Sequence, residues 1–469
     1  MRESKFMTER TGKKDMRAKQ IDFSEGKIIK NIVSVAAPML VAQILNLLYN
    51  IVDRIYIGRI PETGTMALGA LGLCFPIIAI ITAFTNMYGS GGSPLCSIER
   101  GKGNTEEAEN LMNTSFYLLL GTGIALTVIG IAFCRPLLHL FGASEASMKY
   151  AEPYMRIYMC GTVFSMIGLG LNPFINAQGF ANVGMTTIFL GAIFNIVLDP
   201  IFIFVLHMGV SGAALATIIS QFISAVFVLR FLTSGKAELS LKFRRGMFSR
   251  KRALNIVGLG SASFVMQCTN SLVQICANNM LGVFGGDIYI SAMTIVNSVR
   301  QVLDTPVHAM TEGASPVMSY NYGSGNYKGV KKAIVSVTIA AEGYTAVVWV
   351  LILLFPAMFI GIFNSDETLL GVTIPALHTY FFAFVFQALM YSAQSVFKSL
   401  NKKKQAIFFS LLRKVIIVVP LTFLLPHIGG LGVTGVFAAE PISNVIGGLA
   451  CFLTMLATVW KELGKNPEQ

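Results

Sequence analysis

No Gly-x-x-x-x-Gly-Lys-[Ser/Thr] loop occurs anywhere in the chain, so direct drive by a nucleoside triphosphate is not supported. Charge is scarce too: Asp, Glu, Lys and Arg make up 13% of the 469 residues, against 54% hydrophobic ones. With a mean hydropathy of +0.64 there is more apolar material than a soluble domain can bury. The seven cysteines are odd in number and form no Cys-x-x-Cys pair. Five of them (Cys74, Cys160, Cys268, Cys276 and Cys451) fall in apolar runs, which reads as small apolar filler rather than a disulfide framework or metal site. Nothing in the sequence asks for a cofactor.

What remains is a polytopic membrane protein. Hydropathy places twelve candidate spans, beginning near Ile32, Met66, Leu111, Tyr150, Met185, Ser211, Leu254, Ile288, Ala333, Val372, Ala406 and Val433. The first is full-length and follows roughly 30 polar residues, a pattern unlike a cleaved signal peptide. The net charge of +12 could suggest nucleic acid, but the placement of the basic residues argues against it. If the N-terminus is cytoplasmic, 27 of the 36 Lys and Arg fall in tails or inner loops, and only Arg59, Arg135 and Lys149 in outer loops. This positive-inside asymmetry predicts that both termini are cytoplasmic and that the basic residues meet anionic lipid.

Repetition organises the chain. The pattern Gly-x-Ser-Pro-x-x-Ser-x-x-x-Gly-x-Gly-Asn occurs from Gly91 to Asn104 and again from Gly313 to Asn326, so that Pro94 and Pro316 stand 222 residues apart. The first copy is read as following span 2 and the second as following span 8. A weaker echo pairs the segment from Gly212 to Thr217 with the one from Gly435 to Glu440. The chain therefore reads as two six-helix halves. Six is even, so the halves lie parallel, related by a pseudo-twofold axis along the membrane normal. The expected layout is a mobile tail (1–30), a first bundle (31–235), a basic amphipathic linker (236–252), a second bundle (253–460) and a short tail (461–469).

The apolar run 185–206 contains an acid, Asp199, followed by Pro200. An ionised carboxylate at bilayer depth costs roughly 2.5 to 3.5 kcal/mol or more, so it is expected to face a partner or a wet cavity. Proline after it frees the carbonyl of Ile196 from its helical bond. Asn195 lies one turn before Asp199; in span 1, Tyr49 and Asp53 share a face; Thr217 comes from span 6. These five are the candidate ion site, because burial and mutual repulsion both favour a carboxyl that can take up and release a proton near neutrality. Pro38 could bend span 1. Span 8 carries a second stripe, Arg300, Asp304, His308 and Glu312, every fourth residue and so on one side of a helix. The positions 222 earlier are Ile78, Thr82, Asn86 and Ser90, so the repeated fold does not require the stripe. Arg300 with Asp304 could be an internal salt bridge, while Glu312 and His308 are better placed to meet a cationic substrate; Asp304, Gln267 and Gln387 are further cavity candidates.

These residues resemble the multidrug and toxic compound extrusion (MATE) transporters. The resemblance rests on Pro38, Tyr49-x-x-x-Asp53 and Gly58, the Ser-Pro-x-x-Ser…Gly-x-Gly-Asn box, Asn195-x-x-x-Asp199-Pro200 and Gly212-Ala-Ala-x-Ala-Thr217, and runs over nearly all of residues 31–460. It implies an all-α membrane protein in which two six-helix bundles form a V and rock between outward-open and inward-open states. The implied activity is export of cationic or amphipathic organic compounds in exchange for a proton or sodium ion across the bacterial cytoplasmic membrane, by a monomer. In the prokaryotic branch similar to the DNA-damage-inducible type, the proton or sodium site matches Asp53, Asp199, Tyr49, Asn195 and Thr217, with Pro38 as the bending proline. Another branch uses acids on spans 7 and 10. Here span 7 offers Gln267 and Asn270, and span 10 offers His378 and Gln387, so a second-bundle sodium site of that kind is not expected.

Two other readings stay open at this point. An intramembrane aspartyl protease also uses two acids on different helices, although the Gly-x-Gly-Asp box and its Tyr-Asp partner are missing. A lipid-linked oligosaccharide flippase of the same superfamily would want a cationic cavity for pyrophosphate, whereas the inward polar residues read as mostly acidic or amide.

Overall fold

The computed structural model describes residues 20–24, 27–61, 63–242, 248–363 and 367–465. Twelve spans cross it. In the first bundle these are α1 (Ile28–Gly58), α2 (Gly64–Gly101), α3 (Thr105–Ala132), α4 in two pieces (Glu145–Cys160 and Thr162–Ala177), α5 (Ala181–Pro200, extended by the π turn Ile201–Val205) and α6 (Gly209–Thr233). In the second they are α7 (Arg250–Gly285), α8 (Asp287–Gly323), α9 (Tyr327–Leu354), α10 in two pieces (Glu367–Phe381 and Val385–Ser399), α11 (Lys403–Leu411, the π turn Leu412–Val418 and Val419–Leu424) and α12 (Gly432–Met455). Only helices satisfy every backbone group within one segment, which is why apolar runs of this length fold this way in lipid.

Among the described residues nine spans are long and apolar enough by themselves, and two more are the bent pairs α4 and α10, with bends of 56° and 49°. The twelfth, α8, is 37 residues long and more polar, since it carries the Arg300 stripe. A break at the same place in both halves is the duplication seen in three dimensions. The bundles meet through α1 and α2 on one side and α7 and α8 on the other, with α2 along α7 and α1 along α8.

The repeated box lies inside the last turns of α2 and α8, not in loops after them. Proline and glycine usually end a soluble helix, but a membrane span tolerates both when neighbouring helices re-satisfy the backbone. Its last four residues then make the turn. Gly103 and Gly325 take φ of 78° and 77°, a region costly for other residues. Asn104 and Asn326 follow as caps, accepting from the backbone N–H of Glu107 at 3.2 Å and of Gly329 at 2.9 Å.

Two connecting segments are better anchored than the sequence suggested. Phe23, placed in a mobile tail, is 2% exposed and packs edge-on against Tyr320 of α8, with ring centroids 5.9 Å apart. Residues 1–19, 25 and 26 of that tail lie outside the described residues. In the linker, Ala237, Leu239 and Leu241 are buried in alternation, a period of two that belongs to extended chain. The backbone N–H of Leu239 donates to Gln178 Oε1 at 2.8 Å, and Arg100 pairs with Glu238. Residues 243–247 of the linker and 466–469 of the C-terminal tail lie outside the described residues.

Candidate coupling site and cavities

Asp53 of α1 and Asp199 of α5 come together in the first bundle, where each carboxyl group acts directly on the other. Asp199 and Asn195 are buried, at 0% and 2% exposure. Pro200 cannot give Ile196 the N–H its carbonyl expects, and the helix goes on as the wider π turn Ile201–Val205. Asn195 Nδ2 donates to Asp199 Oδ1 at 3.3 Å and to Thr217 Oγ1 at 3.4 Å, while the Thr217 hydroxyl donates to the Ala213 carbonyl at 3.0 Å. Tyr49 sits beside Asp53. Tyr49, Asn195 and Thr217 also line a cavity of about 30 Å³, room for about one water.

Three oxygens of this group, Asp53 Oδ1, Asp199 Oδ2 and Asn195 Oδ1, are buried and receive no hydrogen bond among the described residues. Unpaired buried acceptors are costly. A proton between the carboxyl groups, or a small hard cation among the oxygens, would satisfy them. Pro38 lies inside α1, which continues as helix on both sides of it.

The stripe on α8 divides. Arg300 does not pair with Asp304; its Nη1 reaches Glu440 Oε1 of α12 at 3.2 Å. Asp304 and Gln387, read as cavity candidates, bond to each other. Gln387 Nε2 donates to both Asp304 oxygens, at 3.0 and 2.8 Å, and the Tyr391 hydroxyl donates to Asp304 Oδ2 at 3.2 Å. Both residues are buried, at 7% and 1% exposure, so neutral donors from α10 satisfy the acid in a closed core. His308 packs against the Tyr391 ring at 4.4 Å between centroids. Gln267, His308 and Glu312 do line a cavity, of about 230 Å³, between α7, α8, α10 and α11.

Two residues that sequence reasoning passed over dominate that cavity's far wall. Arg413 and Lys414, in the π turn of α11, are 2% and 3% exposed. Arg413 Nη2 and Lys414 Nζ reach Glu440 Oε1 at 2.8 and 2.7 Å, and Arg413 Nη1 donates to Asn444 Oδ1 at 3.0 Å. The cationic wall corrects the reading of the inward groups as mostly acidic or amide. The signal was present, since two adjacent cations inside an apolar run are as conspicuous as Asp199. A larger cavity of about 330 Å³ lies between the bundles, lined by Gln43, Asn46, Asn86 and Asn172 from the first and by Glu312 and Lys398 from the second.

The MatE family model matches residues 38–201 and 262–424, one stretch in each bundle and more than half of the chain. The chain belongs to the MatE family. As a MatE protein it is a multi-pass membrane transporter, not an enzyme, which removes the protease reading. Among similar proteins is the multidrug export protein MepA of Staphylococcus haemolyticus, 24% identical over 433 residues, with 92% of this chain and 94% of that protein covered. The MepA of Staphylococcus aureus strain MRSA252 is 22% identical over 432 residues, covering 92% and 94%. A solved structure of a MATE protein in complex with MaD3S superposes with a TM-score of 0.89 at 25% identity, covering 95% of this chain and 100% of that one. An outward-facing multidrug resistance MATE transporter gives 0.88 at 24% identity, covering 95% and 99%. Both show the MATE fold for this chain.

Proposed function

We propose that this MatE transporter exports cationic or amphipathic organic compounds across the bacterial cytoplasmic membrane, both termini inside, in exchange for a proton or sodium ion held by Asp53 and Asp199. The observation that carries the reading is the facing pair of acids, in which Asp53 Oδ1 and Asp199 Oδ2, like the neighbouring Asn195 Oδ1, receive no hydrogen bond among the described residues. MepA, the relative named above, is a multidrug export protein, which supports the cargo class.

Loading the pair with an ion neutralises charge in a low-dielectric site, and unloading restores it. Such a change alters how α1 packs on α5 and biases which mouth of the central cavity is open. Pro38, lacking an N–H, gives α1 a place to bend as it does so. Cargo enters the cavity between the bundles, where Glu312 offers a carboxylate to a cation. A tenfold uphill gradient of cargo needs about 1.4 kcal/mol, the free energy in about one pH unit for one proton.

The test is transport by purified protein in liposomes with the pH and sodium gradients imposed one at a time. One of the two gradients should drive ethidium across, and Asp199→Asn should abolish the response while the protein remains folded in the membrane. Undiminished transport by that variant would defeat the assignment.

A further inference from the structure

Glu440 Oε1 accepts from three cations at once, the half-buried Arg300 at 3.2 Å and the buried Arg413 and Lys414 at 2.8 and 2.7 Å. The other acid nearby, Asp304, is satisfied by Gln387 and Tyr391. Counting Glu440 and Asp304 against Arg300, Arg413 and Lys414, this cluster carries one more positive than negative charge. An uncompensated buried charge is among the most costly features a protein can carry. Lys414 and Arg413 line the cavity of about 230 Å³, and its remaining charged lining residues are Lys398 and Glu312. The rest of the polar wall is the His308 imidazole with amides and hydroxyls, including Gln267, Asn270 and Gln394. Arg413 also keeps a donor in reserve: its buried Nε has no acceptor among the described residues. Excess positive charge, an idle guanidinium donor and neutral polar walls together describe an anion site.

We propose that this cavity is a carboxylate subsite for zwitterionic cargo, with Lys414 and Arg413 holding the carboxylate and Glu312 facing the cationic end. The inference rests on the export reading. Glu312 lines both this cavity and the one between the bundles, so one molecule can span them with its two charges at opposite ends. The same Glu312 disfavours a dianion such as pyrophosphate, which would meet a like charge at the opening. A single carboxylate matches the single surplus positive charge, and charge-assisted bonds in a desolvated pocket are the strong ones.

The experiment compares two dyes with the same fixed cationic ring system: rhodamine B, with a free carboxylate, and its ethyl ester, without one. Fluorescence anisotropy of each with the purified full-length protein in nanodiscs gives Kd directly. Wild type should hold rhodamine B more tightly than the ester. Lys414→Gln should weaken rhodamine B about tenfold and the ester by less than about twofold. Lys398→Gln, at a less buried part of the same wall, should act in the same direction with a few-fold effect, and it keeps the test decisive if Lys414→Gln does not fold. Benzoate should displace rhodamine B. Equal binding of acid and ester by wild type, equal losses for both in the variants, or displacement by pyrophosphate where benzoate fails would each overturn the subsite. The assay imposes no gradient, so it can succeed when ion exchange fails and fail when exchange succeeds, which separates this proposal from the export reading.

Discussion

Gly101 and Gly323 meet each other's helices in the same way. A Cβ on Gly101 would lie 2.0 Å from the carbonyl oxygen of Tyr320, and one on Gly323 would lie 2.0 Å from that of Ile98. Tyr320 and Ile98 are themselves 222 residues apart, so the contact is reciprocal about the pseudo-twofold axis and locks α2 to α8 at the end carrying the repeated box. Neither neighbour is a side-chain tip that can swing away. Gly101→Ala must therefore push the bundles apart here, at a cost of about 1–3 kcal/mol to this closed contact. In a background lacking the native cysteines, Ile98→Cys and Tyr320→Cys should crosslink, and Gly101→Ala should lower the yield several-fold. An unchanged yield would mean that the contact is not maintained in the membrane.

Asp53 and Asp199 act in the proposal as one binding unit for one ion, and units of that kind are non-additive. Asp53→Asn and Asp199→Asn should each reduce ion-driven ethidium export to background, and the double variant should be no worse than either. If the ion is a proton, acidifying the external side steepens the inward gradient, so wild-type export should accelerate and the variants should not respond. Two losses that sum in the double variant would indicate separate roles.

The twofold fold was legible because its signals are local. Apolar runs mark spans, and a box recurring after 222 residues marks the halves. The grouping of Asp199, Asn195 and Thr217 was legible for a related reason, since α5 and α6 are consecutive and antiparallel. Asp304 was not, because its partners Gln387 and Tyr391 come from α10, and no pattern on α8 states the register of one helix against another. The pairing of Arg300 with Glu440 on α12 was hidden for the same reason. Arg413 and Lys414 were a different kind of miss. Their cost in lipid is readable from α11 alone, because two adjacent cations inside an apolar run must be buried against partners.

Glu440 is the hub of the buried charges, so its loss should be worse than the loss of any one cation it holds. Glu440→Gln leaves Arg300, Arg413 and Lys414 without their shared carboxylate. Breaking a buried pair by removing one partner typically costs about 3–5 kcal/mol, and here three contacts share the removed charge. Thermal unfolding in detergent should show a marked fall in midpoint for Glu440→Gln. Adding Arg300→Gln to it should recover part of the fall, because one stranded charge is then gone. A double variant less stable than Glu440→Gln would argue that Arg300 is held by contacts other than this acid.

Phe23 belongs to a strap laid across both bundles at the end where Gly101 and Gly323 meet. On the first-bundle side, the Ile21 N–H donates to the Gly179 carbonyl at 2.9 Å and Gln20 Nε2 to the Gln178 carbonyl at 3.0 Å. On the second-bundle side, Phe23 packs on Tyr320, the residue whose carbonyl Gly101 abuts. A segment that bridges two moving bodies stabilises whichever arrangement lets it touch both. Removing a fully buried phenylalanine ring costs about 3–5 kcal/mol, so Phe23→Ala should weaken the closed end selectively. Amide hydrogen exchange should quicken by at least tenfold at Ile21 and also at Ser324, whose N–H donates to the Tyr320 carbonyl at the closed contact. Quicker exchange at Ile21 with unchanged exchange at Ser324 would make the strap a passenger on the first bundle, because a true brace cannot be loosened without loosening what it spans.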